Sequence, residues 1–81
     1  MNIKQKVFEI LSEMSSITVD DTSLELTTDI GLDSMNMIML LIEIEDTFNI
    51  RLDESDMNPF DLITVNDIVK LVEKYEVEDN E

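Results

Sequence analysis

Neither cysteine nor histidine occurs among the 81 residues. That excludes a disulfide framework and a thiol nucleophile, and it leaves no imidazole base and no zinc site of ordinary composition. Most familiar catalytic constellations are therefore unavailable to the chain. Glycine and proline occur once each while 43% of the residues are hydrophobic, a balance that points to a globular helical protein rather than a disordered one. Positive charge is also scarce, with five Lys or Arg against twenty Asp or Glu and a formal net charge of −15. Lys4 and Lys6 are followed by no basic residue until Arg51. Such a chain repels nucleic acid and anionic membranes and favours partners that present Lys or Arg patches. No segment has the apolar length of a signal peptide or a membrane span, so a cytoplasmic protein without membrane insertion is expected.

A chain of this size forms one domain with a thin core, here residues 1–81 with a polar tail at 76–81 expected to fray. Apolar residues Ile3, Val7, Ile10, Leu11 and Met14 recur at helical spacing behind Asn2, which is available as a cap. A long connection follows to Asp33, and its Ile17, Val19, Leu24, Leu26, Ile30 and Leu32 should pin it to the helices. The next helix is expected from Ser34 to Phe48, a span of roughly 20 Å. A short third helix is expected within 53–62, with Asn58 as cap and Pro59 at its first position. Thr64 and Asp67 read as a capping box, after which Val65, Ile68, Leu71, Val72 and Tyr75 face inward. The expected fold is all-α, a small four-helix bundle of three longer helices and one short third helix, with Phe8, Phe48, Phe60 and Tyr75 as its aromatic core members.

The second helix carries two apolar stripes. Met37, Leu40, Leu41, Ile44 and Phe48 suit a core face, while Met35, Ile38, Met39 and Ile42 form another stripe beginning beside Ser34. The latter either packs beneath the long loop or the third helix, or it faces a partner. Asp33 and Ser34 alone read as a helix start, since both are favoured caps. As a hydrolase nucleophile Ser34 has no histidine to activate it and no Ser-x-x-Lys pattern behind it. Asp20, Asp21 and the run Asp53-Glu54-Ser55-Asp56 lack the glycine and closing glutamate of an EF-hand.

Gly31-Leu32-Asp33-Ser34-Met35 resembles the attachment motif of acyl and peptidyl carrier proteins, and the resemblance extends along nearly the whole chain: a helix, a long loop, the motif at the head of helix two, Ile-Glu-Asp-x-Phe at its end, and a final helix begun by Thr-Val. The resemblance implies that a separate phosphopantetheinyl transferase attaches phosphopantetheine from coenzyme A to Ser34. Asp33 matches the acidic residue needed near the metal during that transfer, and Gly31 and Leu32 match the turn that presents the serine. It further implies that Met35, Ile38, Met39 and Ile42 dock on partner enzymes while Glu43, Glu45 and Asp46 meet basic residues at the rim. Expected partners are the transferase and the loading ligases, synthases and transferases that fill and empty the arm of a monomeric, non-catalytic, free-standing carrier. Fatty acid or polyketide intermediates are the first expected cargo, with aminoacyl, peptidyl or D-alanyl cargo as the alternative. Asn36 and Met39 stand where carriers of fatty acid synthesis bear acidic residues, which favours a dedicated pathway. A small acidic inhibitor of the immunity-protein type, covering a basic surface, is the rival of another class.

Overall fold

A computed structural model describes residues 2–58 and 60–79, the last three by backbone only. Helix α1 runs over Ile3–Ser15, α2 over Ser34–Phe48 and α3 over Val65–Asp79, and no strand occurs among the described residues. Asn2 caps α1 by accepting from the Gln5 N–H at 3.1 Å. Ser16 then adopts a left-handed conformation, φ 67°, and its N–H bonds to the Ser12 carbonyl at 3.2 Å, which stops the helix. Asn49 ends α2 in the same way at φ 55°. At α3 the expected capping box is present, with Thr64 Oγ1 accepting from the Asp67 N–H at 3.3 Å and Asp67 Oδ2 accepting from the Thr64 N–H at 3.0 Å.

Leu11, Leu40, Ile44, Ile68 and Val72 are fully buried where the three helices meet, and no polar side chain is buried among the described residues. The core is thus held by apolar burial, at about 25 cal/mol per Å². The first stripe of α2, from Met37 to Phe48, lies inside it as expected. Val69 adds to the inward face of α3.

Residues 17–33 form an ordered strap. Val19, Leu26, Ile30 and Leu32 enter the core and Leu24 packs against it. Backbone bonds tie the strap to the start of α3: Leu26 N–H to Ile63 O at 2.8 Å, Val65 N–H to Leu24 O at 3.0 Å and Asn66 N–H to Thr22 O at 2.9 Å. They flank a single antiparallel bridge between Glu25 and Thr64.

Three expectations are corrected. The third helix is only a 3-10 turn, Glu54–Asp56, because its acidic residues offer no buried side chain to stabilise anything longer. Asn58 accepts from the Phe60 N–H at 3.0 Å in a turn, whereas Pro59 lies outside the described residues. Phe60 does not belong to the core: it is 85% exposed, and Leu62 enters in its place. Ile17 is exposed as well, since the Val19 N–H bonds to Ser12 Oγ at 2.8 Å and sends Val19 inward instead. Helix α3 runs through Asp79, there being no Gly or Pro to interrupt propagation. Residues 80 and 81 lie outside the described residues.

Candidate functional site

The site begins with Gly31. Its φ of +89° lies in the region that L side chains avoid, and a Cβ built there would meet nothing within 4 Å. Backbone conformation alone therefore calls for glycine at this position. The preceding turn is fixed by Glu25, whose carbonyl accepts from the Asp29 and Ile30 N–H groups, both at 3.0 Å, and by the Leu32 N–H donating to Leu26 O at 2.9 Å. Leu32 is buried and anchors the turn, so Asp33 and Ser34 emerge at a fixed place on the surface.

Asp33 is the N-cap of α2. Its Oδ1 accepts from the Asn36 N–H at 2.8 Å, and Asn36 Oδ1 accepts in return from the Asp33 N–H at 3.3 Å. Sequence reasoning left Asp33 and Ser34 both open as the cap and missed Asn36, because asparagine is shorter than the Glu or Gln usual at that place in the box. Ser34 is the first residue of the helix and is exposed. In a chain with twenty acidic residues, the first turn of α2 contains none. The positive end of the helix dipole is met instead by the Asp33 carboxylate at the N-cap, beside the exposed Ser34.

Beside Ser34 opens an apolar cleft of about 230 Å³, lined also by Met37, Ile38, Leu41, Met57 and Leu62. Met57 and Leu62 come from the segment between α2 and α3 and were not singled out by the sequence. Met57 is held by the turn before it, where Asp56 accepts from Tyr75 Oη and from Lys74 Nζ. The Tyr75 hydroxyl and then Lys74 hold the Asp56 carboxyl below its usual range. Burial, and next the bond to Asp56, push the Tyr75 hydroxyl up.

The second stripe of α2 lies at the surface: Met35 is 68% exposed and Met39 54%, with Ile38 and Ile42 comparable. It packs under neither the loop nor the 3-10 turn. Glu43 and Asp46 are exposed near its lower half. Glu45 differs, since its Oε2 accepts from the Leu52 N–H at 2.8 Å and its carboxylate is already engaged. Among the described residues no group of acidic side chains is arranged to hold a metal ion, and no helix is long and apolar enough to cross a membrane.

A family model described as "Phosphopantetheine attachment site" matches residues 5–72. An acyl carrier protein of Desulforapulum autotrophicum is 31% identical over 77 residues, which cover 91% of this chain and 97% of the relative. A D-alanyl carrier protein of Streptococcus sanguinis is 39% identical over 71 residues, 86% of this chain and 90% of the relative. The crystal structure of an acyl carrier protein from Thermotoga maritima superposes with a TM-score of 0.75 at 25% identity, covering 95% of this chain and 88% of that one. The chain belongs to the phosphopantetheine-binding carrier protein family, with covalently attached phosphopantetheine as its cofactor.

Proposed function

We propose that residues 1–81 form a single non-catalytic domain that carries acyl groups between enzymes in the cytoplasm, with phosphopantetheine attached through the Ser34 hydroxyl. The arm supplies a thiol, which this cysteine-free chain lacks, and the cargo is held on it as a thioester. The observation that carries the reading is the exposed Ser34 hydroxyl at the start of α2, beside an apolar cleft. Gly31 and Leu32 present the serine, and Asp33 holds the first turn rigid while placing a carboxylate next to the hydroxyl, where a transferase can use it near its metal. Met35, Ile38, Met39 and Ile42 dock on the transferase and on the loading and synthase enzymes, with Glu43 and Asp46, and in a lesser role Glu45, meeting basic side chains at the rim.

Acyl cargo is favoured by the cleft, because each methylene buried there is worth about 0.8 kcal/mol. D-alanyl carriage is the second reading, supported by the streptococcal relatives at 38 to 39% identity and by Asn36 and Met39 on a face without early acidic residues. Family membership removes the immunity-type inhibitor from consideration.

Incubation with coenzyme A, magnesium and a promiscuous phosphopantetheinyl transferase, followed by intact mass measurement, tests the attachment. One arm is expected on the wild type and none on Ser34→Ala. A folded wild type that stays unmodified would overturn the proposal. Loading the modified protein with a medium-length acyl chain or with D-alanine then separates the two cargo readings: only the acyl chain is expected to raise the melting temperature and shift the amides of Met37, Leu41 and Leu62.

A further inference from the structure

On the flank of α2 facing α1 lies a second depression, about 400 Å³ in volume and lined by Ile10, Glu13, Met14, Met39, Ile42 and Glu43. We propose that this α1–α2 groove is the seat of an amphipathic helix of a partner enzyme, one whose apolar row is flanked by Lys or Arg. The proposal rests on the docking role of α2 given above and deepens it: Glu13 and Met14 of α1 become part of the recognition surface, and the chemistry of the docking element is specified.

Shape supplies the first argument. Ile10 and Met14 stand one helical turn apart on α1, and so do Met39 and Ile42 on α2, so the floor is an apolar trough with helical spacing along both walls. Met39 and Ile42 are more than half exposed, which leaves apolar surface uncovered on one of those walls. Methionine on both sides lets the trough repack around differing side chains.

Charge supplies the second argument and selects the occupant. Among the described residues neither Glu13 nor Glu43 is paired with a cation. All six lining residues fall between Lys6 and Arg51, where the sequence has no basic residue. An apolar trough edged by two unpaired carboxylates attracts a cationic amphipathic helix, gains no charge attraction from a neutral one and repels an acidic one. A second copy of this chain, with a net charge of −15, is the wrong partner.

Position gives the groove its use. Ile38 lines the cleft at Ser34, whereas Met39 and Ile42 line the groove, so the exposed ridge of α2 separates the two depressions. A helix seated against α1 leaves the mouth beside Ser34 open. The carrier can thus be held on an enzyme while its arm works elsewhere on that enzyme.

The test uses the full-length ¹⁵N-labelled protein and a synthetic helical peptide of Leu and Lys, with Leu at positions three and four apart, beside a scrambled peptide of the same composition. Saturable amide shifts centred on Ile10, Glu13, Met14, Met39, Ile42 and Glu43 are expected, and the scrambled peptide should bind more weakly. Glu13→Lys combined with Glu43→Lys should weaken binding roughly tenfold, as two exposed charge reversals would. Shifts spread over the acidic residues of the whole chain, shifts at Met35 and Ile38 with Glu13 and Met14 unmoved, or equal binding of both peptides would each overturn the proposal. Arm attachment, read by mass on the same sample, keeps the outcomes apart: a protein that takes the arm yet binds the peptide elsewhere refutes the groove alone.

Discussion

Tyr75 donates its hydroxyl hydrogen to Asp56 at 2.5 Å, and the same oxygen accepts from the Asp53 N–H at 2.7 Å. One phenol on α3 therefore holds both ends of the 3-10 turn that precedes Met57, with Lys74 adding a contact of 3.2 Å to Asp56. Tyr75→Phe removes the donor and the acceptor together while keeping the ring. A loss of about 1 kcal/mol is expected, which in a domain of this size lowers the melting temperature by roughly 4–8 °C. An unchanged melt would show that the clamp contributes nothing.

The same residue predicts behaviour at high pH. Tyr75 titrates above its ordinary value of 10.0. A group whose folded value is raised contributes stability that is complete below the unfolded value and is lost as pH rises through the folded one. The ultraviolet absorbance of the single tyrosine should accordingly titrate later in the native protein than in urea, with the melting temperature falling over that interval. Coincident titrations would contradict the geometry.

At the acid end two effects oppose each other. Asp21, Asp56 and Asp67 are held below the ordinary 3.8, chiefly by backbone N–H bonds to Asp21 and Asp67 and by Tyr75 to Asp56. Depressed groups contribute stability that is present above the unfolded value and lost as pH falls through the folded one. The net charge of −15 destabilises at neutral pH and relaxes as carboxylates begin to protonate. Stability should thus rise from pH 7 to about 5 and fall below about 4. Added salt should raise the melting temperature at pH 7 by screening that repulsion. A melting temperature that drops on going from low to moderate salt would refute the repulsion argument.

Adjacent residues on α2 should respond in opposite ways. Leu40 is fully buried and Met39 is 54% exposed. Leu40→Ala should cost about 2–5 kcal/mol and threaten the fold. Met39→Glu should leave the helical circular dichroism intact while weakening binding to partner enzymes. Collapse of the fold in the second variant would assign Met39 to the core.

Asp33→Ala separates capping from presentation. Loss of the bond to the Asn36 N–H should cost about 1 kcal/mol. Asp33→Asn retains a side-chain oxygen for that bond and removes the charge, so it should restore stability without restoring the rate of arm attachment. Equal rescue of both would leave the Asp33 charge with no part in the modification.

Much of this arrangement was legible in the sequence because it rests on local chemistry. Helical periodicity located Val7, Leu11, Leu40, Ile44 and Ile68 in the core, and the caps at Asn2, Asp33 and Thr64 follow from short-range hydrogen bonds. What could not be read depends on contacts across the chain. Whether the stripe from Met35 to Ile42 is covered is decided by where the strap and the 3-10 turn lie, and no periodicity states that. Phe60 was misplaced for a related reason: a large apolar residue in a turn has no pattern to reveal whether it or Leu62 points inward. The cleft beside Ser34 was hidden too, since Met57 and Leu62 reach it only through the Tyr75 clamp and the start of α3.

The backbone pairing of Leu24 and Leu26 with Ile63 and Val65 joins segments that lie on opposite sides of α2 in the chain. Such a contact closes a long loop and gains nothing until its far end exists. During synthesis Gly31 to Ser34 is made well before Ile63, so the serine exists for a time without its brace. The pairing divides the presentation of Ser34 into two stages: residues 25–36 carry the bonds that shape the turn, and the seating of that turn against α3 waits for Ile63 and Val65.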